Sequence, residues 1–381
     1  MLKEFEIGPI RPPSEAASLL LRVTRNCPWN KCRFCDLYKG ELFRVRSIEE
    51  IKADVDQVAA YQADIVKWMP DGALFDQNAL HDKLQQFPPE IADRYFHVLH
   101  WMLNGGGQSI FLQDANTMAL SFDKLAEILA YVREKLPRTQ RVTSYGRVDS
   151  ITRFSVGQLT ALREAGLDRI HSGYESGSDQ VLHLINKGYT KAEEIEAGQK
   201  VVASGIELSV YIMPGVGGKA LSDDNAAETA DVISKVNPDF VRVRTFVAKQ
   251  GTGLMEDIQR GEIQECTDKE KVLELKKTIE GITGVTGYMH SDHLINLLEE
   301  VAGQLTTDKD TMLRVIQDFE DLPPREQREF QLARRMGLVR FLSQMRGLSP
   351  EQRSGVETYE RRLQDEADFE AVLSKLLRRY I

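Results

Sequence analysis

The stretch Asn26-Cys27-Pro28-Trp29-Asn30-Lys31-Cys32-Arg33-Phe34-Cys35 follows the strand-like run Leu19 to Thr24, and its reading decides the rest of the chain. Three cysteines so closely spaced can supply three thiolate corners to a 4Fe-4S cube and leave the fourth iron open to a small ligand. A structural zinc site wants four ligands, usually in two matched pairs, and no second pair follows. The remaining cysteine, Cys266, stands far away in a charged stretch. A disulfide would leave one of the three unpaired, and Lys3, Glu4 and Glu6 interrupt any apolar signal core.

Working outward, strand-like and helical runs alternate, the pattern of a parallel α/β sheet or barrel. Ser47 and Glu50 form a capping box ahead of a helix with Ile48, Ile51, Val55 and Val58 at helical spacing. Further strands are expected at about 109–112, 141–145, 168–173, 206–213 and 240–247, with helices between them. Six such strands predict the α/β class and a partial (β/α)6 TIM-like barrel with a helical C-terminal extension, its working loops at the carboxyl ends of the strands. The expected division is an N-terminal arm over 1–18, the barrel over 19–260 and a mainly helical region over 261–381. An aromatic-rich insertion over about 62–108 either covers the active site or packs as a surface excursion.

The chain has 381 residues, 42% of them hydrophobic and 28% charged, as in ordinary globular proteins. No apolar run approaches a membrane span. A net charge of −9 argues against a broad nucleic-acid surface. The cysteine usage and the lack of a signal segment point to a reducing cytoplasm.

Strand alternation puts Leu208, Val210 and Ile212 on one face and Ser209, Tyr211 and Met213 on the other. The aliphatic face should meet helices, so the mixed face looks inward. The same rule turns Arg242, Arg244 and Phe246 inward, with Arg169, His171, Gly173 and Glu175, and with Arg141, Thr143, Tyr145 and then Arg147. Buried guanidiniums need carboxylates, either the protein's own or a ligand's. Arg147, Arg242 and Arg244 exceed what one ligand carboxylate and Glu175 can neutralise, which leads to the expectation of an anionic substrate. His290 and His293, beside Tyr288 and Asp292, could bind a metal or transfer protons, or form a polar loop. With Tyr145 they are the candidate catalytic groups.

The C-x4-C-x2-C run, with Phe34 before its last cysteine, resembles the radical S-adenosylmethionine (SAM) enzymes, with one residue more between the first two cysteines than their usual spacing. Further motifs resemble the branch of oxygen-independent coproporphyrinogen oxidase and Elongator-type proteins. Gln113, Asp114 and Asn116 stand where that family binds the methionine amine, although they also suit a turn and helix cap. Gly173-Tyr174-Glu175-Ser176-Gly177-Ser178 is similar to a family run whose Glu accepts from the ribose hydroxyls or the amine. Met213-Pro214-Gly215-Val216-Gly217-Gly218 is similar to a turn where Gly215 lets backbone approach the adenosine, and Gln250-Gly251-Thr252-Gly253-Leu254 is similar to a Pro-Gly-Thr-Pro-Leu run without its prolines.

The resemblance spans roughly residues 19–255. It implies that Cys27, Cys32 and Cys35 hold a 4Fe-4S cluster and that Asp114, Asn116, Arg147, Glu175, Gly215 and Arg244 surround SAM. It further implies reductive cleavage of SAM to a 5′-deoxyadenosyl radical that takes hydrogen from a substrate, which the arginine count above makes a small anionic one. Reduced flavodoxin or ferredoxin is the implied electron donor. The alternatives are a cluster-bearing binding or delivery protein of the same fold, or a zinc-stapled interaction protein.

Overall fold

A computed structural model describes residues 2–70, 75–363 and 365–380. The described residues form an eight-stranded sheet: β1 (Leu19–Arg22), β2 (Ser109–Gln113), β3 (Arg141–Tyr145), β4 (Leu167–Glu175), β5 (Glu207–Ile212), β6 (Phe240–Val243), β7 (Tyr288–His290) and β8 (Gly303–Gln304), in chain order. β1 to β4 pair in parallel, as do β5 to β7, and β8 closes antiparallel on β7. The six expected strands are all present. Parallel strands covered on both faces need nearly continuous apolar runs, and Ile110, Phe111 and Leu112 are fully buried. The chain packs as two compact units.

The first unit comprises residues 1–28, 40–172 and 203–207. Its long helix, Ile48–Trp68, starts at the expected capping box of Ser47 and Glu50. The insertion supplies the helices Gln77–Leu84 and Pro89–Asn104, and residues 71–74 within it lie outside the described residues. The imidazole of His97 accepts from the Leu20 N–H at 3.2 Å, so the insertion satisfies the free edge of β1. Burial pushes the His97 pKa down to about 4, with Arg94 adding to the effect, and the ring stays a neutral acceptor at pH 7. Within this unit the insertion is a packed edge cover.

One face of the same unit carries Phe111, Tyr145 and His171, with Phe111 and Tyr145 edge-to-face at 5.0 Å and His171 at 6.2 Å from each. Below them Glu15, fully buried, accepts from both terminal nitrogens of Arg141 at 2.8 and 3.0 Å, from Ser18 at 2.7 Å, and meets His171 Nε2 at 3.1 Å.

The second unit comprises residues 29–39, 173–202 and 208–381. Alternation holds as expected. Leu208, Val210, Ile212, Val241, Val243 and Met289 are buried on one face, while Arg242 Nε donates to Ser209 on the other. Tyr288 to His290 form a strand, although the sequence reads there as a loop after the barrel; a three-residue strand is too short to show periodicity. The C-terminal region is helical as expected, with Lys309–Glu320, Pro324–Arg335, Pro350–Arg361 and Glu366–Leu377. Arg335, 1% exposed, ties Pro324–Arg335 to Asp268 at 2.8 Å, and the pairing offsets the desolvation of both charges.

Candidate active site at the cysteine segment

The segment Trp29–Lys39 is fastened to its unit by four consecutive devices. The Trp29 indole N–H donates to the Asn186 carbonyl at 2.7 Å. Its ring lies where a Cβ on Gly188 would fall, 2.4 Å away, and Gly188 has φ +84°, so both space and backbone require glycine. Arg33 donates its N–H to the Ile185 carbonyl at 2.8 Å, accepts from Leu254 N–H at 3.0 Å, and rests its guanidinium on Asp257 at 2.5 Å. Phe34 packs on Val181, Ile185, Met213, Phe246 and Leu254. Between these fixed points lie Cys32, buried, and Cys35, half-buried.

Cys27 belongs to the first unit, after Asn26 at φ +67°. Asn26 donates its N–H to Asp114 at 3.4 Å and its side-chain amide to the Leu42 carbonyl at 2.8 Å. All four cysteines are free of disulfides. Burial pushes the Cys266 thiol up to about 12.

At the end of β2, Asp114 is fully buried and accepts from Arg22 at 2.7 Å. Gln113 is turned to the N-terminal segment, accepting from Gly8 N–H at 2.8 Å and donating to the Gly8 and Ile10 carbonyls. Asn116 donates to Ser150 at 2.7 Å and accepts from the Arg147 N–H at 3.0 Å, so its amide positions the start of the next helix.

In the second unit Glu175 ends β4 at φ +69° and accepts from Lys187 at 2.8 Å, both side chains being almost fully buried. The Lys187 ammonium lies over the rings of Phe34 at 5.4 Å and Tyr189 at 5.8 Å. Gly215 has φ +86°; a Cβ there would meet the Lys271 side chain at 2.7 Å, and its N–H donates to Glu274 at 2.9 Å. The close approach at this turn is thus to protein side chains.

The expected surplus of inward arginines is corrected by the structure. Arg141 has Glu15, Arg169 has Glu207 at 2.7 Å, Arg147 has Asp149 at 2.9 Å, and Arg242 has Asp292 at 3.5 Å. Their own carboxylates neutralise them because burying an unpaired guanidinium would cost several kcal/mol (~) per charge. Arg244 is exposed to solvent, and no ion pair is recorded for it among the described residues.

His290 lies against the rings of Tyr288 at 4.4 Å and Phe240 at 5.9 Å. His293 accepts from the Ile295 N–H at 3.3 Å, and burial, then the Arg244 charge, push its pKa down to about 4. His293 is therefore neutral near pH 7.

Sequence reasoning missed the pairing of Arg22 with Asp114, that of Lys187 with Glu175, and the anchoring of Trp29 and Arg33. Gly188 and Tyr189 beside Lys187 were the available signal, since glycine at a close approach often marks a fixed contact.

Comparison with known proteins then adds what geometry alone does not. Residues 21–231, more than half of the chain, match the Radical SAM superfamily. The chain belongs to that superfamily. This radical SAM protein is 25% identical over 117 residues to a tRNA uridine(34) acetyltransferase of Methanocaldococcus infernus, covering 30% of this chain and 22% of that protein. It is 23% identical over 275 residues to a tRNA-2-methylthio-N(6)-dimethylallyladenosine synthase of Christiangramia forsetii, covering 71% of this chain and 51% of that one. It therefore spans about a fifth to a half of the length of these relatives. The solved structure of an N-terminally deleted Elp3 from Methanocaldococcus infernus aligns with a TM-score of 0.41 at 18% identity, over 56% of this chain and 55% of that chain.

Members of that superfamily bind a 4Fe-4S cluster and SAM. The donor chemistry fits: three thiols close together in the sequence, none of them in a disulfide. No helix among the described residues is long and apolar enough to cross a membrane.

Proposed function

We propose that this enzyme cleaves SAM reductively and abstracts hydrogen from a substrate, with Cys27, Cys32 and Cys35 holding the cluster. The observation that carries this reading is the cysteine run, none of whose thiols is in a disulfide, with Cys32 and Cys35 on a segment fastened at Trp29, Arg33 and Phe34. When bound, the cluster and SAM supply the electron and the radical precursor. The chain's own residues bind and orient. Asp114 and Glu175 are the ionised acceptors for the methionine amine or ribose hydroxyls, with Asn116 setting the backbone of Arg147 and Gly215 shaping the turn after β5. Lys187 occupies Oε1 of Glu175, and Oε2 keeps its acceptor capacity.

Arg147 and Arg242 already have carboxylates, so Arg244 is the remaining arginine for an anionic group, whether of the substrate or of the SAM carboxylate. Tyr145 and His290 are proposed to line the substrate side by their aromatic faces. His293, held neutral, can accept a proton but does not arrive charged. A pH profile of turnover should accordingly show no limb between pH 5 and 8 that disappears in His293→Gln.

Glu175→Ala and Asp114→Asn test the binding assignment. Each removes a charged acceptor, and loss of a charge-assisted hydrogen bond costs about 1.5–3 kcal/mol, roughly a ten- to hundredfold rise in Kd. Equilibrium dialysis of SAM against reconstituted protein measures it, with iron content as the control. Wild-type affinity in both variants would show that these strand ends do not bind the cosubstrate.

A further inference from the structure

The turn that leaves β5 is braced at each of its residues. The Met213 N–H donates to the Glu175 carbonyl at 2.8 Å, the Phe246 N–H donates to the Pro214 carbonyl at 2.9 Å, and the Gly215 N–H donates to Glu274 at 2.9 Å. Glu274 stands on the helix Asp268–Gly281 and is 2% exposed. Its Oε1, which takes the Gly215 N–H, also accepts from the Asn225 side-chain amide at 2.6 Å, and Oε2 accepts from the Ser222 hydroxyl at 2.6 Å. One carboxyl thus gathers the turn and the first turn of the helix Ser222–Val236. Burial raises its pKa, and the bonds from Ser222, Gly215 and Asn225 act against that shift. Lys271, one turn earlier on the same helix and also buried, fills the space that a Cβ on Gly215 would need.

This bracing ends at Glu175. Its φ of +69° is a left-handed conformation that a residue with a side chain holds only where its surroundings over-determine it. The Met213 N–H on its carbonyl and the Lys187 ammonium on its Oε1 are such contacts, and the first depends on the course of the turn two residues before Gly215. We propose that Glu274 is a positioning residue for the cosubstrate: by pinning Gly215 to Asn225 and Ser222 it holds the 213–215 turn against Glu175, and so fixes the direction of the carboxylate that receives SAM. The inference rests on the reading of Glu175 as a SAM acceptor. A carboxyl suits the task because its two oxygens offer about four acceptor sites, enough for three donors from two segments to meet on one group. An apolar side chain in its place would leave all three donors buried without a partner.

The test is a double-mutant cycle read by equilibrium dialysis of SAM against reconstituted protein, with Glu274→Ala, Glu175→Ala and the two combined. Iron content and thermal unfolding are measured on the same samples. Glu274→Ala should keep its iron and raise the Kd for SAM roughly tenfold, while in the Glu175→Ala background it should change the Kd by less than about twofold. Glu274→Gln keeps one oxygen for Gly215 and Asn225 and should recover most of the affinity. Glu274→Asp, one methylene shorter in reach, repeats the cycle if the alanine variant does not fold, with the same coupling expected. Wild-type affinity in Glu274→Ala would overturn the proposal. So would an equal loss with and without the Glu175 side chain, the sign of a purely structural role, or a loss in Glu274→Gln as large as in Glu274→Ala. Wild-type affinity in Glu175→Ala would instead overturn the acceptor reading beneath, and the proposal with it.

Discussion

Cys32→Ala, reconstituted anaerobically with iron and sulfide, is expected to lack the 4Fe-4S absorption of the wild type and to cleave no SAM. Cys32 is buried, and the backbone of its neighbour Arg33 is fixed by hydrogen bonds to Ile185 and Leu254. Cys266 stands far from the other three in the sequence. The alanine is smaller and the fastening contacts come from other residues, so the fold should persist by circular dichroism. Cys27→Ala and Cys35→Ala should behave alike, and Cys266→Ala should retain the full iron complement. A cluster surviving in Cys32→Ala with wild-type iron would place the ligands elsewhere.

Glu15→Gln is expected to lower stability by about 3–5 kcal/mol, the cost of breaking a buried ion pair from one side. The amide would leave Arg141 and His171 without the carboxylate they share. Burial alone would raise the Glu15 pKa, but the bonds from His171 and Arg141 outweigh it and bring the pKa from 4.5 down to about 2. A carboxyl whose pKa is depressed by folding stabilises the protein fully above its unfolded value. That contribution is lost as pH falls from about 4.5 through about 2. Chemical denaturation of both proteins at pH 7 and across the acid range measures this. The gap between wild type and Glu15→Gln should be widest at neutral pH and narrow on acidification. A gap that stays constant would mean Glu15 contributes by shape alone.

The parts of this account that were legible in the sequence are those written in local pattern. The Ser47 and Glu50 capping box needs only two residues three apart, and the six strands announce themselves as aliphatic runs between helical periods. The cysteine spacing likewise carries its own chemistry. Pairings across the sequence were not legible. Glu175 could be picked out from its motif, but nothing local says that Lys187 would take one of its oxygens. Glu15 reads as an ordinary acidic residue until the fold brings Arg141 and His171 to it from strands more than a hundred residues away. The arginine surplus was misjudged for the same reason. Alternation gave the face of Arg242 correctly, but its partner Asp292 comes from a later segment that reads as a loop.

The central claim is tested most directly by incubating the reconstituted, dithionite-reduced protein with SAM and measuring 5′-deoxyadenosine and methionine by mass spectrometry. The account predicts both products in equal amounts, dependent on reductant and absent from Cys32→Ala. A protein that carries a full cluster and binds SAM yet forms neither product under reduction would contradict it, and would point to a binding or delivery role on the same fold.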